Sequence, residues 1–123
     1  MAHPQDASFV NLDVSNKLSL GSWGAVTQGT SITTGVTLNT KRGAITTFDP
    51  TLAAAAEVEF VVTNNQCHAG DVVAISVASG PGDNEHVIAF VSSVAEGSFS
   101  IVLTNLAASN QADGAMVINF AII

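Results

Sequence analysis

Glu57-Val58-Glu59-Phe60-Val61-Val62-Thr63 decides the fold. In an extended chain successive side chains point to opposite faces, so Val58, Phe60 and Val62 share one face and both glutamates lie on the other. A slip of one residue would bury the two carboxylates, and burial of a single face therefore fixes the register. Asn64-Asn65 closes the segment.

The same grammar extends in both directions from this strand. The spacing predicts further strands at Val36 to Leu38, Ile45 to Phe48, Val72 to Val77, Val87 to Val94, Ser98 to Leu103 and Met116 to Ile122, seven in all, or eight if the N-terminal region donates one. Asp49-Pro50 ends one strand, because proline has no donor for the ladder. Ala95-Glu96-Gly97 fits a three-residue hairpin loop with a left-handed glycine. The alanine-rich Leu52 to Ala56 has the composition of one helical turn and is too short to stand as a helix. Val, Ile and Thr make up 34 of 123 residues, a composition suited to pleated, half-buried strands. The expected class is all-β, an antiparallel sandwich of jelly-roll type.

Two regions depart from simple alternation. The last strand, Met116-Val117-Ile118-Asn119-Phe120-Ala121-Ile122-Ile123, hardly alternates, which reads as burial on both faces. Ile88 and Phe90 opposite Ala89 and Val91 repeat the pattern. Together with a mean hydropathy of +0.42 and 11% charged residues, this predicts a homo-oligomer whose interface is Ile88, Phe90, Met116, Ile118, Phe120 and Ile122. A tightly wrapped monomeric barrel is the plain alternative. Residues 1–29 carry only scattered apolar side chains, Phe9, Val10, Leu12, Val14, Leu18, Leu20 and Trp23, among Asn, Ser, Asp and Gly. Such a segment cannot bury enough surface to fold alone and reads as an extended arm ordered by another chain, or simply as a loose terminus. The expected domains are thus an arm at 1–29 and a β-sandwich trimerisation domain at 30–123.

Composition and motifs narrow the function. A net charge of −7 repels nucleic acid and anionic membrane surfaces, so neither is an expected partner. No apolar stretch reaches the length of a spanning helix and the opening residues lack a secretory signal, so synthesis in the cytoplasm is expected. The single Cys67 rules out an internal disulfide. Cys67-His68 with Asp71 is the one cluster of soft and acidic ligands, but adjacent side chains diverge and cannot share an ion, so the cysteine is expected to tuck inward. Asp83-Asn84-Glu85-His86 offers too few oxygens for calcium and reads as a solvated turn. In a trimer, His68 or His86 could meet its copies on the axis around an ion, though nothing in the sequence demands it. Glu57 and Glu59 imitate a carboxylate pair, yet exposed glutamates on a strand also serve to discourage edge-to-edge aggregation. No G-x-S-x-G, P-loop, G-x-G-x-x-G or H-E-x-x-H motif occurs. The expectation is a non-enzyme with no cofactor or metal.

Several stretches carry a resemblance. Val26-Thr27-Gln28 through Thr34-Gly35-Val36-Thr37-Leu38-Asn39, then Gly43-Ala44-Ile45-Thr46-Thr47, resembles the small β domains of tailed-phage structural proteins. The similarity continues through Phe60-Val61-Val62-Thr63-Asn64, Asp71-Val72-Val73, Gly97-Ser98-Phe99, Leu103-Thr104-Asn105 and Val117-Ile118-Asn119-Phe120-Ala121-Ile122. That family comprises trimeric β-sandwich modules, found as capsid decoration (cement) proteins and as terminal domains of head fibres and tail spikes. The resemblance implies a virion protein with no catalytic residues. No shaft or coiled coil precedes the module in this sequence, which favours a decoration protein on the outer capsid surface, with the major capsid protein as partner.

In this expectation three arms, bearing Phe9, Val10, Leu12, Val14, Leu18, Leu20 and Trp23, grip neighbouring capsid subunits, and their weak contacts multiply through high effective concentration. Anything that binds only the assembled shell stabilises it by mass action. The alternative is a fibre or spike tip binding a host receptor through the loop Ser79 to Glu85. Absence of Tyr and placement of the sole Trp in the arm count against a glycan-stacking surface. A self-assembling subunit unrelated to viruses and a small hydrolase complete the alternatives.

Overall fold

A computed structural model describes residues 13–19, 21–48, 51–80 and 86–123. Among these residues the chain is all-β, with no helix and with mixed sheets. One four-stranded sheet runs in the order β1 (Trp23–Thr27), β3 (Arg42–Thr46), β10 (Val117–Ile122) and β6 (Val73–Ser79). The second runs β2 (Val36–Thr37), β5 (Glu57–Thr63), β8 (Ser98–Asn105) and β7 (Val87–Ala95). A two-residue pair, β4 (Thr51–Leu52) with β9 (Ala112–Asp113), brings the strands among the described residues to ten.

The wholly antiparallel expectation is corrected at both outer edges. β1 pairs parallel with β3, and β2 pairs parallel with β5. Periodicity reports which face a side chain occupies and says nothing of a partner's direction. The arm boundary expected at residue 29 moves as well, because Trp23–Thr27 is hydrogen-bonded into the first sheet. The segment Leu52 to Ala56 forms no helical turn: Leu52 belongs to β4, and a tight turn follows in which Ala56 donates to the Ala53 carbonyl at 3.1 Å. Ala55 sits there at φ 58°. The β7–β8 hairpin turns through two residues, Glu96 and Gly97, rather than three, with Ala95 paired to Ser98 and Gly97 at φ 81°.

The two sheets contribute to one core. From the second come Phe60, Val62, Phe99, Ile101 and Leu103, and from the first Ile45, Ile118, Phe120 and Ile122, all buried. Each such side chain contributes about 1.5–3 kcal/mol through removal from water. Leu38 packs where β1 and β3 approach most closely. A Cβ on Gly43 would stand 2.5 Å from the Gly24 carbonyl and 3.0 Å from a Leu38 methyl, and one on Gly24 would meet Leu38 at 2.8 Å. The parallel pair therefore depends on two glycines opposite one another.

Buried amides hold the loops to this core. Gln28 donates through Nε2 to the Ile32 and Thr34 carbonyls, both at 2.9 Å, and accepts from the Phe48 amide. Asn64 donates to the Thr40 carbonyl at 2.7 Å and accepts from Gln66 N. Asn105 donates to the carbonyls of Leu52 and Asn110 and accepts from Ala107 N. All three are buried, and each replaces lost water contacts with fixed protein partners.

Candidate functional site

Two uncovered surfaces stand out. The first is the arm. Residues 13–19 have no regular structure and every one is exposed, including Val14 at 42% and Leu18 at 56%. Phe9, Val10, Leu12 and Leu20, expected as arm anchors, lie outside the described residues. Trp23 is placed by β1 instead: it pairs with Arg42, whose guanidinium stands 5.8 Å from its ring centroid. Half of the indole surface is exposed, so Trp23 belongs to the outer face of the first sheet.

The expected trimer interface divides in two. Met116, Ile118, Phe120 and Ile122 are buried within their own chain and are corrected to core residues. The reason is facing: alternate side chains of β10 point into the core shared with the second sheet, while Val117, Asn119 and Ala121 point the other way and are half-buried. Ile88 and Phe90 are exposed, at 46% and 43%.

They belong to the second surface, the outer face of the second sheet. Register places Glu57, Thr104 and Ile88 in one row across β5, β8 and β7, and Glu59, Val102 and Phe90 in the next. Val61, 45% exposed, follows Glu59 on the same side of β5. Ser92 marks an irregularity in β7 and donates to Glu59 Oε1 at 2.9 Å, while Thr104 donates to Glu57 at 3.4 Å. The face therefore has an apolar column on β7 and an acidic column on β5. Sequence alternation reveals each column separately but not their juxtaposition, which depends on β8 lying between them.

The loop of Cys67, His68 and Asp71 closes against the β7–β8 hairpin. Cys67 is buried, its Sγ 3.6 Å from the carbonyls of Ala95 and Ser98. Burial first, then the nearby Asp71 and Glu96 carboxylates, push its thiol pKa up, which leaves little nucleophilic thiolate. His68 Nδ1 meets Glu96 Oε1 at 2.7 Å, and the Ala69 amide donates to Glu96 Oε2. Those two hydrogen bonds, His68's foremost, hold the Glu96 carboxyl below its ordinary value. Asp71 accepts from the His68 amide rather than facing the imidazole. Among the described residues, no three His, Cys, Asp or Glu side chains converge as a metal site would require. Asp83, Asn84 and Glu85 lie outside the described residues.

Searched against protein-family models, curated proteins and solved structures, the chain matches none.

Proposed function

We propose that this protein is a virion structural component that decorates the outside of a tailed-phage capsid as a homotrimer, its arm binding major capsid subunits. In this reading the two sheets form a sandwich, jelly-roll-like apart from its two parallel edge pairs. The protein needs no catalytic group, metal or cofactor. It is made in the host cytoplasm and resides in the mature virion.

The observation that carries the reading is the uncovered arm. Residues 13–19 leave a well-packed module with Val14 and Leu18 exposed, so the apolar side chains of this segment are not covered among the described residues. A segment ordered by a partner binds with modest strength alone, and three on one trimer bind together through effective concentration. The phage-domain resemblance supplies the class of partner.

The test is cosedimentation with undecorated capsids. Deleting residues 1–19, which include Phe9, Val10, Leu12, Val14 and Leu18 and end before β1, should leave the module folded and abolish capsid binding. Undiminished binding by that truncation, or adsorption of the full chain to host cells in place of capsids, overturns the reading.

A further inference from the structure

We propose that the open edge of β6 pairs with β6 of a second copy of this chain, antiparallel and about a twofold axis at Ile75, joining two four-stranded sheets into one. The proposal goes beyond the reading above and does not depend on a capsid. A twofold contact cannot close a threefold ring, so it joins one trimer to another, and would join two single chains in the same way.

β6 is the last strand of the first sheet and is bonded to β10 on one side only. The direction of its free backbone groups follows from one pair. Val72 and Ile123 exchange both hydrogen bonds, and the register of β6 on β10 continues from them without a shift as far as Val77. Bonded and non-bonded pairs alternate along an antiparallel ladder. Ala74 and Ser76 therefore bond to β10, whereas the N–H and C=O groups of Val73, Ile75 and Val77 point away from the sheet. None of these groups has a partner among the described residues. The same side chains mark where the core stops short. They pair with Ile122, Phe120 and Ile118, which are buried, yet Val73 and Ile75 are half-buried and Val77 is exposed. A further strand on this edge would cover them.

The edge also specifies its partner. The added strand must be apolar on the core side, small on the outer side and uncharged, and Val73-Ala74-Ile75-Ser76-Val77 meets these terms itself, since its pattern reads the same in both directions. Turned about Ile75, Val73 lies opposite the partner's Val77, Ala74 opposite the partner's Ser76, and Ile75 opposite its own copy. This register sets outward-pointing donors and acceptors against one another at every alternate pair, so each exchanges both of its bonds. A slip of one residue would match them with residues already bonded to β10. The nearest charge, Asp71, falls opposite Ser79 and so meets no like charge. The other edges fit less well: β2 has two residues, β7 is interrupted at Ser92, and β1 has only Gly24 and Val26 on its core side.

The experiment uses the full chain without capsids. Light scattering over a range of concentration reaching about 1 mM should show the mass double. Ala74 and Ser76 are exposed, so their substitution leaves the core alone. Ala74→Lys with Ser76→Lys sets lysines opposite lysines across the axis and should weaken pairing by roughly tenfold at low salt, whereas Ala74→Lys with Ser76→Glu sets opposite charges there and should keep it. A cross-link tests the register. Residues 74 and 76 of the two copies form a non-bonded pair with Cα atoms roughly 4.5 Å apart, within reach of a disulfide. Copies carrying Ala74→Cys mixed with copies carrying Ser76→Cys should therefore yield more heterodimer than either homodimer on mild oxidation. A mass independent of concentration, equal pairing by the two folded charge variants, or no excess of heterodimer overturns the proposal. The doubling is read on whatever mass the dilute protein has, and deletion of residues 1–19 should leave it in place, so this proposal and the capsid reading fail separately.

Discussion

The rings of Phe99 and Phe120 meet with centroids 5.3 Å apart and planes tilted by 55°. One comes from β8 and the other from β10, so this contact joins the centres of the two sheets. Truncating either ring removes burial and leaves a cavity lined by both layers. Phe120→Ala should cost about 3–5 kcal/mol, read as a lower urea midpoint with unchanged slope. The double variant should fall short of the summed losses by about 0.5–1.5 kcal/mol, the coupling of a tilted aromatic pair.

Asn105 holds together a corner with little regular structure. Asn105→Ala leaves the Leu52 and Asn110 carbonyls and the Ala107 amide without their side-chain partner. The expected cost is about 2–4 kcal/mol. Hydrogen exchange should show the loss first at β4 and β9, whose two-residue pairing has few other supports.

Gly43→Ala should be destabilising by about 1–3 kcal/mol, because the added methyl meets the Gly24 backbone rather than a movable side chain. Gly29→Ala is the matched control, with nothing near the new methyl and no left-handed backbone to strain. It should be neutral or gain up to about 1 kcal/mol through the unfolded state. Equal effects at the two positions would refute the close approach of β1 to β3.

The Glu96 contacts make a pH dependence with a definite sign. Its folded pKa lies below the ordinary 4.5, so the unfolded chain binds this proton more readily. The stabilising contribution is fully present above the unfolded value and is lost as pH falls through the folded one. Glu96→Gln should remove that part of the acid-limb slope in denaturant midpoints below about pH 5. Because both side chains are largely exposed, added salt should shrink the effect.

Legibility of the sequence varied with how local the determining contacts are. Glu57–Thr63 alternates as written, because β5 has one wet and one buried face. The left-handed Gly97 was equally readable from its own turn. Trp23–Thr27 reads as arm, since Trp-Gly-Ala-Val-Thr turns only Val26 to the core and acquires its identity from β3, which begins fifteen residues after it ends. The β10 residues read as an intersubunit surface for a related reason: an apolar run says that a strand is covered, and sequence does not say whether the cover is intramolecular. Asn64 reads as turn punctuation, and its role as an anchor of the distant Thr40 carbonyl, like that of Asn105 on the Leu52 carbonyl, is a long-range fact.

The parallel pairing of β1 with β3 also determines how the module bears load. Tension in the arm enters at Trp23 and, when directed along the strand, runs down β1. Its five register pairs, extended by the Gln28 amide on the Thr46 carbonyl at 2.8 Å, then resist together in shear. A strand peeled from one end gives up its hydrogen bonds singly, whereas one sheared along its length must lose many at once. An arm attached in this way acts as a tether whose grip on the module is strongest along its own line of pull.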